Sequence, residues 1–140
     1  MPEALPLWPP GTAGTLCVAG PHAIAVSTAV RAADDRLLFA LAHRRATLAR
    51  LREEPACALC LLAADVGFTA EGRAFVVRER MRANERVAAL ELRVERIADH
   101  LADGRTDILD GVRWRWRDPS DADRDLAIRS ELDTLAGVRI

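Results

Sequence analysis

The chain has 140 residues, half of them apolar, and a formal net charge of −1 from 20 basic and 21 acidic side chains. That length can bury a core without disulfides or metal ions, and the apolar share excludes a disordered chain. With no basic excess to displace counterions from a polyanion, a general nucleic-acid binder is excluded as well.

In chain order, residues 1–14 hold four of the seven prolines. They are expected to form a leader that packs over the surface, with Trp8 as its anchor. Thr15 to Ala19 is a first short strand, and Gly20-Pro21 turns the chain. His22 to Val30 alternates and is rich in small and β-branched residues, which predicts strand two. Arg31 to Asp35 is a polar turn leading into Arg36 to Ala42, strand three. Thr47 is expected to cap a helix that runs to about Glu54, with Leu48 and Leu51 sharing a face and Pro55 ending it. Ala56 to Ala63, apolar on both faces, predicts a fully buried strand four. Val66 to Val77 is strand five, with Gly72 at a bulge or close backbone approach.

Arg78 to Glu85 is a charged connection. Val87 to Ile97 keeps an apolar period of two, which predicts a strand, although ANERVAALEL also carries a helical pattern. Ala98 to Asp110 is a polar excursion. Gly111 to Arg117 alternates, with Val112, Trp114 and Trp116 on one face and three arginines on the other, and predicts a last strand. Asp118-Pro119-Ser120 then introduces a helix over about residues 121–136, with Leu126, Ile128, Leu132 and Leu135 as its apolar set and Gly137 as its stop. Six or seven strands, two helices and short connections predict one mainly β domain over residues 1–140, an antiparallel barrel.

The chemistry is narrowed by what is missing. All 20 basic residues are arginine. Without lysine no lysine Schiff base can form and no P-loop lysine can act. A phosphate would be held by guanidinium forks, backbone N–H groups and hydroxyls. No GxSxG or GxGxxG occurs, and the three histidines adjoin no triad or metal-ligand spacing. Cys57 and Cys60 have redox or zinc spacing, but on a strand residues three apart point to opposite faces, so they read as buried structural cysteines. The opening MPEALPLWPPGTAG has neither the basic start nor the apolar run of a secretion signal, and no window has transmembrane length. The expectation is a cytoplasmic protein without membrane contact.

One corner stands out. Arg44 and Arg45 sit where strand three hands over to the helix, and the helix start adds free N–H groups and a positive dipole end. Thr47 offers a hydroxyl, His43 adjoins the corner, and Ser27 and Thr28 could donate from strand two. The alternative is that Arg44 and Arg45 are solvated residues at a strand end. Trp114 and Trp116 are read as core or interface packing, with stacking on a ligand as the alternative.

HRRAT (43–47), AVSTAV (25–30), LARLREEP (48–55) and EGRAFVV (71–77) together resemble the flavin-binding split β-barrel family of pyridoxamine 5'-phosphate oxidase-like proteins, over about residues 12–117. The resemblance implies a six- to seven-stranded antiparallel split β-barrel with a short helix after strand three and a C-terminal helix. It also implies a homodimer with a flavin-type cofactor between subunits: FMN, or the deazaflavin coenzyme F-420. The phosphate would lie on Arg44, Arg45 and Thr47, with His43 beside it, and Ser27 and Thr28 would face the ring or its side chain. The lysine usual at that corner is absent. The implied activity is that of an oxidoreductase acting on a small molecule, with no catalytic base of its own and no metal. The other reading is a non-enzymatic split-barrel module that binds a cofactor or ligand.

Overall fold

The structure, a computed structural model, describes residues 4–137. Seven strands and two helices follow in the order β1 (Gly14–Val18), β2 (His22–Val26), β3 (Val30–Ala33), β4 (Arg36–Ala42), α1 (Ala46–Glu53), β5 (Ala56–Ala63), β6 (Val66–Arg78), β7 (Val87–Asp99) and α2 (Pro119–Ala136). The strands form one antiparallel sheet in the order β2-β1-β5-β6-β7-β4-β3. Its two edge strands, β2 and β3, are consecutive in the chain and separated only by Ser27, Thr28 and Ala29. From Val26 to Val30 the backbone can reach at most about 14 Å. The opposite edges of the sheet must therefore meet at that end, and the sheet curls into a barrel split along this seam.

Burial follows the pleat. Leu37, Phe39 and Leu41 of β4 point into the barrel with Leu16, Leu59, Leu61, Phe68, Leu90 and Leu92. Leu38 and Ala40 point outward and are covered by α2, in a second cluster with Val30, Met81, Ala89 and Leu132. The unbroken apolar run of β4 thus reflects a strand buried on both faces. That property was expected of β5. There, Cys57, Leu59, Leu61 and Ala63 are buried while Ala56 and Leu62 are exposed, because its outer face is only partly covered. Leu5 and Trp8 of the leader join the barrel core, and the Trp8 indole N–H donates to the Ala29 carbonyl at 3.0 Å. The leader therefore closes the barrel beside the seam.

The seven-stranded split barrel agrees with the sequence expectation, and three elements need correction. The expected strand His22 to Val30 is two strands, β2 and β3, on opposite edges. The chain leaves the ladder at Ser27, and the Thr28 hydroxyl accepts the Ala40 N–H at 3.0 Å in place of a backbone partner. The expected turn Arg31 to Asp35 shrinks to Asp34-Asp35, since Arg31–Ala33 pair with β4. The expected last strand Gly111 to Arg117 is not a strand. Its segment instead runs past the β5–β6 turn, where Asp65 N–H donates to the Ile108 carbonyl at 2.9 Å, and ends against the leader through Trp114. Val112 to Arg117 are all exposed, so the alternation there marks neither a buried face nor a ladder.

Gly72 fulfils the expected bulge. The β6–β7 register shifts between Glu71 and Gly72, and a Cβ at this position would collide with the Arg93 carbonyl oxygen. In α2, Asp118 caps the first turn by accepting from Ser120 N–H, Pro119 opens the helix, and Gly137 ends it. Leu132 is fully buried on the barrel side, whereas Leu126, expected in the same set, is 59% exposed. The cysteines diverge as expected, but only Cys57 is buried; Cys60 is half-buried and Cys17 exposed. Burial pushes the Cys57 thiol up to about 12.

Candidate functional site

The corner forms because β4 ends at Ala42 and the chain must turn to send α1 across one end of the barrel. Arg45 N–H donates to the Ala42 carbonyl at 3.0 Å, and Leu48 N–H donates to the Arg45 carbonyl at 3.2 Å. Leu48 and Leu51 then face inward and are buried. Arg50 fastens the helix to the β1–β2 turn by donating to the carbonyls of Ala19 and Gly20 at 3.2 and 3.0 Å.

Arg44 and Arg45 are exposed, and among the described residues neither guanidinium has a carboxylate within 4.0 Å. Arg45 is the N-cap of α1, its side chain makes no capping bond, and no acid occupies the first turn. The helix therefore begins with free N–H groups and two unpaired cations, an arrangement that attracts anions.

Thr47 is placed differently from expectation. It is not the cap; it is fully buried, and its hydroxyl pairs with His22 Nε2 at 2.8 Å. Only its backbone N–H remains for an anion at this corner. Thr28 is half-buried and engaged with Ala40, as described, while Ser27 is half-buried and its hydroxyl has no hydrogen-bond partner among the described residues. Because Thr28 bonds Ala40, both residues lie beside the C-terminal half of β4.

His43 continues the corner on the other side. Its ring Nε2 lies 2.7 Å from the Glu79 carbonyl oxygen, and its backbone N–H donates to Arg86 O at 2.9 Å. The Glu79 carboxylate also takes Arg52 as an ion-pair partner. That hydrogen bond from Arg52, with further help from the charges of His43 and Arg80, holds the Glu79 carboxyl below its ordinary range. Arg52 lines a cavity of about 370 Å³ together with Leu48, Leu51, Pro55, Ala74, Phe75, Val76 and Leu90. A hollow lined by apolar side chains and one guanidinium, with as much polar as apolar surface, suits a planar or aliphatic group carrying a negative or polar end. His43, Glu79 and Arg52 thus join the basic corner to this cavity.

Sequence reading did not single out Arg52, Glu79 or Phe75. Arg52 falls in a charged stretch of helix and Glu79 in a charged connection 27 residues away, so only the fold pairs them. Trp114 and Trp116 are 39% and 41% exposed and pack edge to face at 5.5 Å, outside either core cluster. Among the described residues no group of three or more His, Cys, Asp or Glu side chains could hold a metal ion. No helix is long and apolar enough to cross a membrane.

No family model and no curated protein matches the sequence. Solved structures do match the fold. A candidate pyridoxamine 5'-phosphate oxidase from Listeria innocua is 13% identical with a TM-score of 0.52, covering 64% of this chain and 88% of that one. HupZ from Group A Streptococcus is 11% identical with a TM-score of 0.54, covering 73% of this chain and 90% of its own. An F-420 reductase is 13% identical with a TM-score of 0.53, covering 63% of this chain and 90% of its own. The chain has the fold of the pyridoxamine 5'-phosphate oxidase-like split barrels.

Proposed function

We propose that the protein is a flavin- or deazaflavin-dependent oxidoreductase of the pyridoxamine 5'-phosphate oxidase-like class, acting on a small molecule in the cytoplasm. The observation that carries this reading is the unpaired Arg44-Arg45 corner at an uncapped helix start, on a fold shared with an F-420 reductase. The donor set fits a phosphate. Two guanidiniums and the N–H groups of the first turn of α1 are available, and no acid in that turn opposes an anion. Arg44 and Arg45 would hold the phosphate of FMN or F-420. Ser27 would offer its hydroxyl from the seam, and Thr28 and His43 would flank the group. When bound, the cofactor supplies hydride chemistry; the chain orients it and shapes the substrate pocket.

A homodimer belongs to the same proposal. The outer face of β1, β2 and β5 exposes Thr15, Cys17, Ala23, Ala25, Ala56 and Leu62. All but Leu62 are small, so a second copy could approach closely. Sedimentation would test this, and a monomer at all concentrations would refute it.

The second reading, a non-enzymatic split-barrel module that binds a ligand or cofactor, is favoured by two observations. The corner has no lysine, and the Thr47 hydroxyl is spent on His22. The absorption spectrum of the purified protein, followed by titration with FMN and with F-420, separates the two. Failure to bind either cofactor refutes the enzyme reading. Where binding occurs, replacing Arg44 and Arg45 by alanine should weaken it by about 1.5–3 kcal/mol per charged hydrogen bond lost. Unchanged affinity would move the phosphate elsewhere.

A further inference from the structure

The segment Gly111 to Arg117 is unexplained by the barrel. It makes no ladder, yet it leaves Arg113, Arg115 and Arg117 in solvent, alternating along the chain with two indoles. Among the described residues none of these guanidiniums has a carboxylate within 4.0 Å, although eight other arginines do. Three of the five acids of α2 are engaged elsewhere: Asp121 with Arg124, Asp125 with Arg129, and Glu131 with Arg78. The Trp114 indole N–H is fixed by the Gly11 carbonyl at 3.0 Å, so one ring is tethered to the leader. Trp116 stands at 85° to it, with centroids 5.5 Å apart. Both rings keep about two-fifths of their surface in water.

Exposed indoles interleaved with unpaired guanidiniums offer two kinds of contact at once. The π-faces accept a planar ring, and the planar forks match phosphate oxygens. We propose that this arm is a binding platform for a nucleotide: an aromatic base stacked on Trp114 or Trp116, with one or two phosphates held by Arg113, Arg115 and Arg117. Size selects a small ligand over a polymer. Arg113 to Arg117 spans at most about 14 Å, and Asp110 and Asp118 bound the run on both sides. A longer polyanion would meet these carboxylates, and the chain as a whole carries a net charge of −1.

The test uses the full chain and its indole fluorescence, excited at the red edge, during titration with adenosine diphosphate. Adenosine and ribose 5-phosphate serve as half-ligands, and a ten-nucleotide oligothymidylate as the polymer. Saturable quenching by the diphosphate is expected, with each half-ligand far weaker. The triple variant R113Q/R115Q/R117Q should weaken binding at least roughly tenfold while its far-UV spectrum and unfolding midpoint stay unchanged. Trp116→Leu should weaken it as well. The pair R44A/R45A should leave it unaltered, which separates this platform from the corner proposed for the cofactor phosphate. Three results would overturn the inference: no saturable quenching, binding lost with Arg44 and Arg45 rather than with the arm, or the oligonucleotide binding far more tightly than the diphosphate.

Discussion

Glu131 offers a quantitative test of how the fold positions the corner. Its carboxylate accepts from Arg82 N–H at 3.0 Å, Ala83 N–H at 2.7 Å and Arg78 NH1 at 3.0 Å, tying α2 to the β6–β7 connection. That connection carries Glu79, the partner of His43 and Arg52. Each charged hydrogen bond contributes about 1.5–3 kcal/mol net, but the three share one group and the loop N–H groups can rehydrate. Glu131→Ala should therefore cost about 2–4 kcal/mol rather than the full sum. At this chain length that is a fall in Tm of roughly 6–14 °C.

The pH dependence has a definite sign. Burial pushes the Glu131 carboxyl up, yet the N–H groups of Ala83 and Arg82 and the Arg78 guanidinium outweigh it and hold the group below its ordinary 4.5. A lowered carboxyl stabilises fully above the unfolded value, and that contribution is lost as pH falls through the folded value. The gap between wild type and Glu131→Gln should be largest near neutrality and close below pH 4.5. Chemical denaturation at pH 7 and pH 3.5 measures both ends. Equal stabilities at pH 7, or a gap that persists unchanged in acid, would refute the reasoning.

The remaining predictions concern single contacts. Gly72→Ala forces a Cβ against the Arg93 carbonyl and should cost more than the ~1 kcal/mol typical of a point substitution, with loss of the β6–β7 bulge seen in amide exchange. Thr47→Val removes the hydroxyl bonded to His22 at a fully buried position and should destabilise by about 1–3 kcal/mol in urea unfolding. Phe39→Ala, in the barrel interior, should cost about 3–5 kcal/mol by the same assay. A thiol reagent at neutral pH should label Cys57 only on unfolding, because Cys57 is buried and its thiol is pushed up to about 12.

Much of the barrel was legible because local chemistry and tertiary packing agreed. β4 and β5 were bounded at Arg36–Ala42 and Ala56–Ala63 from the sequence, since polar or proline residues flank unbroken apolar runs. The seam was not legible. Val26, Ser27, Thr28, Ala29 and Val30 all have strand-compatible side chains, and nothing local says that the chain crosses from one sheet edge to the other. The arm misled for a related reason: a period of two suggests a strand with one buried face, yet Val112 to Arg117 are all exposed, with Trp114 tied to the leader in place of a ladder. At the corner, Arg44 and Arg45 were legible from the strand-to-helix handover. The role of Thr47 was not, because a threonine that caps and a threonine that bonds a histidine 25 residues away look alike in sequence.

The location of the corner follows from where a curled antiparallel sheet runs out of backbone partners. Within the ladder, each interior strand exchanges hydrogen bonds with both neighbours, so its N–H groups are unavailable to a ligand. Donors remain at two kinds of place: along the seam, where β2 and β3 leave the sheet, and at the start of a helix, whose first N–H groups have no intrahelical acceptor. In this chain both converge on β4. Thr28 reaches Ala40 across the seam, and α1 begins four residues after the strand ends. The same turn forces His43, Arg44 and Arg45 to the surface, because the barrel interior ends at Leu41 and α1 next buries Leu48 and Leu51. Two adjacent guanidiniums beside a positive helix end repel one another, so the fold holds a local electrostatic cost that a bound anion would relieve. The topology supplies the donors, and the sequence keeps acids out of the first turn of α1. Either one alone would leave an ordinary strand end.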